Sequence, residues 1–124
     1  MAGLRPLERI RRRVEYQAVY DRGVKVHSRY LTLFTLRNSL SVGRLGIAAT
    51  RKLGGAVQRN RAKRLIREVF RRNKRAPGFD VVVVPKRALF DASLTVLETD
   101  YRTILERALT QRARPRGPDA RTRV

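Results

Sequence analysis

The sequence predicts an α+β fold, a small two-layer sandwich whose helices pack on one central sheet. Three stretches carry that expectation. Arg59 to Lys74, RNRAKRLIREVFRRNK, places Ala62, Leu65, Ile66, Val69 and Phe70 at i, i+3, i+4, i+7 and i+8, which gathers one apolar stripe on an amphipathic helix. Asp80 to Pro85, DVVVVP, is a continuous β-branched run, as expected of a strand buried on both faces at the centre of a sheet. Val24 to Leu36 alternates instead, with Leu31, Leu33 and Thr35 pointing one way and Tyr30, Thr32, Phe34 and Leu36 the other. The element order is α-β-β-β-α-β-α, with the basic helix carried between two strands.

Taken in order, residues 1–13 hold five Arg and Pro6 with little periodicity, and read as an irregular basic arm. A single domain follows over 14–113. Val14 to Arg22 is a short helix that Gly23 stops, glycine being suited to the left-handed position after a helix. Tyr16 and Tyr20 share one face of it at i, i+4, either as core or as a base-stacking platform. Within the Val24 to Leu36 strand, His27 and Ser28 mark a kink or bulge. His27 is the only His and, with no Cys in the chain, makes poor metal-site or general-base material.

Arg37 to Gly43 is turn chemistry, and Arg44 to Thr50 a further strand whose Gly46 and Ala48 leave room for something to approach the sheet. Gly54 and Gly55, with Arg51 and Lys52, form a loop able to hold phosphate on its backbone amides, although no Walker ending is present. The basic helix ends near Asn73, and Pro77 in the APGF turn prevents its continuation. A last helix runs from about Ser93, a suitable N-cap, to Ala113, with Leu94, Leu97, Tyr101, Ile104, Leu105 and Ala108 at helical spacing. The tail over 114–124 has two Pro and no apolar period, and is expected to be disordered.

Charge narrows the function. The 124 residues contain 30 Lys and Arg against 10 Asp and Glu, a net charge of +20. That field bears on partners rather than on fold. No apolar run approaches the roughly 18 to 20 residues of a membrane span, and the N-terminus lacks the apolar core of a secretory signal, so a cytoplasmic protein is expected. Opposite the apolar stripe of the basic helix lie Asn60, Arg64, Arg67 and Arg71, flanked by Lys63 and Arg61, with Glu68 the only acid in the stretch. Solvated faces usually mix signs. A face of one sign repels itself by a few tenths of a kcal/mol per pair, and a polyanion turns that repulsion into attraction; arginine suits bidentate phosphate contacts. The ten acids are scattered, so no two-metal cluster, Ser-His-Asp set or glycosidase pair can be assembled.

Gly46 to Arg67, GIAATRKLGGAVQRNRAKRLIR, resembles the hallmark segment of the protein subunit of bacterial ribonuclease P, an Arg-Asn-Arg helix led by Lys-x-x-Gly-x-Ala-Val. Tyr16, Tyr20 and Gly23 resemble that family's aromatic-x-x-x-aromatic-x-x-Gly helix, and Gly78 to Val84 its Gly-aromatic-Asp-hydrophobic strand. The resemblance implies a protein that binds the ribonuclease P RNA, one protein per RNA, and helps it remove 5′ leaders from precursor tRNA. It also implies a left-handed β-α-β crossover, against the general right-handed rule.

Carried over residue by residue, the RNA-subunit face is Arg59, Asn60, Arg61, Lys63, Arg64, Arg67 and Arg71. The leader site, in a cleft between the first helix and the sheet, is Tyr16, Tyr20, Phe34, Lys52 and Arg51. Tyr replaces the family's usual Phe at 16 and 20, which keeps the stacking faces and adds a polar tip. Mg²⁺ is implied as a cofactor held chiefly by RNA, with no protein ligand. A structural RNA-binding protein of ribosomal type is the alternative; an autonomous endonuclease and a membrane-active cation rank lower.

Overall fold

The computed structural model describes residues 4–111. Its four strands are β1 (Val24–His27), β2 (Leu31–Arg37), β3 (Arg44–Ile47) and β4 (Phe79–Pro85), and its long helices are α1 (Arg13–Arg22), α2 (Ala56–Arg72) and α3 (Leu94–Thr110). The sheet order is β1-β2-β4-β3. β2 pairs antiparallel with both β1 and β4, and β3 runs parallel to β4, so β3-α2-β4 is a crossover between adjacent strands. The tail expected at 114–124 lies outside the described residues.

The DVVVVP run sits where a strand buried on both sides must sit, between β2 and β3. Val81 and Val83 face α2 and α3, in a core with Leu31, Leu33, Ile66, Phe70, Tyr101 and Ile104. Val82 faces the other way, under α1, with Ile10 and Val19. All three valines are fully buried, and each such burial stabilises by about 1.5 to 3 kcal/mol. Helices therefore cover both faces of the sheet, α2 and α3 on one and α1 on the other.

Several expectations meet a different local structure. His27 and Ser28 belong not to a bulge but to a hairpin between β1 and β2. Ser28 holds it: its hydroxyl accepts from the amides of Tyr30 and Leu31 and donates to Asp100 of α3 at 2.6 Å. Gly23 ends α1 in an extended conformation, φ −80° and ψ 166°, rather than a left-handed one. Its need for glycine is spatial, since a Cβ there would stand 2.5 Å from the Val19 carbonyl oxygen and 2.6 Å from that of Thr35.

The segment expected to be an irregular arm is, from Leu4 onward, built into the fold. Pro6–Glu8 makes a 3₁₀ turn, Leu4 and Ile10 are buried, and Arg9 bridges to Leu45 so that the segment lines the outer edge of β3. Glu8 is buried with it and pairs with Lys74 at 2.9 Å. Periodicity could not show this, because the apolar contacts come singly. Finally, α2 begins three residues before Arg59, and the last connection contains a 3₁₀ turn, Arg87–Asp91, that buries Leu89.

One polar joint sets α1 on the sheet. Asp80 of β4 is buried, and its carboxylate accepts from Arg44 Nε and Nη2 at 2.8 and 2.7 Å and from Asn38 Nδ2 at 2.8 Å. The third arm of the Arg44 guanidinium, Nη1, donates to Glu15 in the first turn of α1 at 3.2 Å. Glu15 also accepts from the backbone amides of Arg11 and Arg12, satisfying donors that a helix start leaves open. Burial pushes the Glu15 carboxyl up, but those amides and the Arg44 charge outweigh it, and the group ionises below its ordinary 4.5. The Lys74 ammonium, above all, does the same for Glu8 against the opposing effect of burial.

Two outcomes follow. Arg44→Ala leaves Asp80 buried without its ionic partner and should lower unfolding stability by about 3 to 5 kcal/mol in urea titrations. Because the folded-state pKa values of Glu8 and Glu15 are depressed, their contribution is present above the unfolded value near 4.5 and is lost as pH falls through the folded values. The urea midpoint should therefore drop below about pH 4.5, and Glu8→Gln with Glu15→Gln should flatten that drop.

Candidate nucleic-acid interface

The basic helix is anchored from below. Ala62, Ile66, Val69 and Phe70 are buried, and Leu65 packs against the same core. At its C-terminal end Asn73 Nδ2 donates to the Val69 carbonyl at 2.7 Å, and Asn73 Oδ1 accepts from Arg102 of α3 at 2.8 Å. Arg72 pairs with Glu98 at 2.7 Å. The helix cannot roll without breaking these contacts, so its outward side chains have a fixed address.

Those side chains divide into two groups. Arg71 is ion-paired to Glu68, with bonds of 2.6 and 3.2 Å, and Arg59 donates to the Gly54 carbonyl at 3.1 Å, closing the loop onto the helix. Arg61, Lys63, Arg64 and Arg67 make no ion pair with any acid of the described residues. Arg61 and Arg64 are exposed, as is Asn60. Arg61 is held laterally by Phe90, whose ring centroid lies 5.4 Å from the guanidinium carbon. The middle of the helix thus presents cations that no acid of the described residues pairs, while its C-terminal end is neutralised.

Before the helix, Thr50 caps the 3₁₀ turn Arg51–Leu53 by accepting from the Lys52 amide, and Gly54 takes φ 129°, a conformation that favours glycine. Arg51 and Lys52 are exposed on this turn and stack on none of the three site rings. They connect the strand that carries Gly46 to the helix that carries Arg64.

On the opposite face of the sheet, Tyr16, Tyr20 and Phe34 come together. Tyr20 meets Phe34 edge-on, centroids 5.0 Å apart at 76°. Tyr16 lies over Gly46, where any Cβ would come within 2.8 Å of its ring. Gly46 of β3 therefore makes room for this tyrosine. Tyr16 and Phe34 also pack against Val19, Val82 and Ile10, so both rings take part in the core on this face of the sheet. Tyr20 is 36% exposed. Burial, then the neighbouring Tyr16, raise its hydroxyl above the ordinary 10.0, keeping it a neutral donor.

Lys25, absent from the sequence-derived site, places its ammonium 5.7 Å from the Phe34 centroid. Only the hairpin reveals it, because the pairing of Lys25 with Phe34 depends on where the chain reverses. His27 is exposed on the same strand. Among the described residues no three His, Asp or Glu side chains gather as metal ligands, and no helix is long and apolar enough to cross a membrane.

Known proteins share this sequence pattern and this fold. The family described as Ribonuclease P matches residues 4–109. The ribonuclease P protein component of Thermotoga sp. strain RQ2 is 38% identical over 112 residues, covering 89% of this chain and 93% of that one. That of Syntrophus aciditrophicus is 42% identical over 85 residues, 67% of this chain and 71% of that one. Among solved structures, the RNase P protein from Thermotoga maritima superposes with a TM-score of 0.73 at 32% identity, covering 81% of this chain and 96% of that one. A Staphylococcus aureus RNase P protein mutant gives 0.75 at 31%, covering 83% and 89%. The chain belongs to the ribonuclease P protein component family, the protein subunits of a ribonucleoprotein endoribonuclease.

Proposed function

We propose that the chain binds the ribonuclease P RNA through the outward face of α2 and the single-stranded 5′ leader of precursor tRNA through the aromatic site under α1, assisting the RNA in removing the leader. The observation that carries the proposal is the set Arg61, Lys63, Arg64 and Arg67, fixed by a buried stripe and unpaired with acids of the described residues. Their mutual repulsion is relieved by a polyanion, which binds with release of its counterions. Phosphates of a folded RNA fit bidentate guanidinium contacts, and a rigid helix presents several at once without further ordering cost.

The aromatic site suits a different target. Tyr16, Tyr20 and Phe34 offer ring edges and faces to unpaired bases, each stacking contact contributing about 1 to 3 kcal/mol. Bases within a duplex are not available to it. The protein so binds and orients, and one copy per RNA suffices for both contacts. Mg²⁺ supplies charge neutralisation and Lewis acidity to the cleavage step, and its ligands belong to the RNA; the scattered acids of this chain are assigned no metal. Such a partnership is at home in the cytoplasm, where precursor tRNA is processed.

Reconstitution tests the proposal. At low Mg²⁺ precursor tRNA should be cleaved by protein and ribonuclease P RNA together, and by neither alone. Arg64→Ala with Arg67→Ala should weaken binding to that RNA and lower the log–log salt slope by about 1.4 to 1.8, at about 0.7 to 0.9 per phosphate contact. An unchanged slope removes α2 as the RNA face.

A further inference from the structure

Resting on the leader-site reading above, we infer that the N-terminal segment is a second grip on precursor tRNA: Arg11, Arg12 and Arg13, with Arg9, bind phosphates of the leader where it leaves the aromatic site over the β3 edge. The segment is pinned, not trailing. Ile10 is buried, its amide donates to the Leu45 carbonyl at 3.0 Å, and Arg9 bridges the same residue. Leu45 adjoins Gly46, the glycine under Tyr16. Arg12, Tyr16 and Tyr20 are spaced i, i+4 and i+8, and the Tyr16 amide donates to the Arg12 carbonyl at 3.2 Å, so the arginines stand one turn beyond the first ring.

The sheet register shows why a strand of RNA would reach them. Lys25, Phe34, Val82 and Gly46 form one row across all four strands. Three inter-strand spacings make that row about 14 Å wide. Its middle is apolar and aromatic, and each end is cationic: Lys25 on β1, the arginine segment beside β3. Bases stacked along the row must send their phosphate backbone out over an edge. Arg9, Arg11, Arg12 and Arg13 are all exposed, and none is ion-paired with an acid of the described residues. The nearest acids in sequence are engaged elsewhere: Glu8 pairs with Lys74 and Arg5, and Glu15 takes only the backbone amides of Arg11 and Arg12 and gives its other oxygen to Arg44.

The test uses the holoenzyme reconstituted with ribonuclease P RNA, under conditions that block cleavage, and precursor tRNAs with leaders of about 2 and about 10 nucleotides, lengths on either side of a short single-strand site. Arg11→Gln with Arg12→Gln and Arg13→Gln should weaken the long-leader substrate about tenfold or more and lower its salt slope by about 2, at about 0.7 per single-strand phosphate. The short-leader substrate should bind as before, and the triple Lys variant should restore long-leader affinity, showing that charge and not folding was lost. Equal losses for both leaders, or no loss for either, overturn the inference. If the unaltered enzyme itself ignores leader length, the leader site is at fault, and this grip falls with it.

Discussion

The aromatic site depends on one buried ionic joint. Asp80 lies on β4, inside the sheet, with its side chain only 8% exposed, and the Arg44 guanidinium satisfies both of its oxygens while extending a third arm to Glu15. A buried ion pair contributes little net stability compared with a well-packed apolar substitute. Its value here is positional. It ties the first turn of α1 to two strands at once, and Tyr16 follows Glu15 directly. Were α1 free to slide, Tyr16 would leave the gap above Gly46 and the Tyr20–Phe34 edge contact would open.

The two surfaces have opposite physical characters and are kept apart by the sheet. On the α2 side the fold holds cations rigid and leaves most of them unpaired with acids of the described residues, which costs repulsion in the free protein. On the α1 side it leaves rings partly uncovered, which forgoes burial. Both costs would be relieved by the RNA contacts proposed for these surfaces. The neutralised end of α2 helps define the boundary. Arg71 is answered by Glu68 within α2 and Arg72 by Glu98 of α3, whereas Arg61, Lys63, Arg64 and Arg67, nearer the glycine loop, are answered by no acid of the described residues.

Much of this was legible in the chain because it is periodic. The stripe on α2, the valine run of β4 and the spacing on α3 each repeat often enough to be read, and they reappear as buried residues. The pairing of Tyr16 and Tyr20 on one face was equally readable. What escaped was set by contacts distant in sequence. The β1–β2 reversal turns on Ser28 reaching Asp100, 72 residues away. The Arg44–Asp80 pair spans 36 residues, and Lys25 joins the rings only through hairpin register. The N-terminal segment looked irregular because its anchors, Leu4, Glu8 and Ile10, follow no helical or strand period. Gly23 was read through its backbone freedom when the constraint was crowding by two carbonyls.

The central claim is that rings held in place by this joint take up unpaired nucleotides. Tyr16→Ala in the reconstituted enzyme tests it most directly, by comparing affinities for precursor tRNA and for mature tRNA. Loss of one stacking contact should weaken the precursor by about 1 to 3 kcal/mol, roughly 5- to 150-fold, and leave the mature tRNA nearly unaffected. Equal losses for the two would show that Tyr16 serves only the core, and would contradict the account.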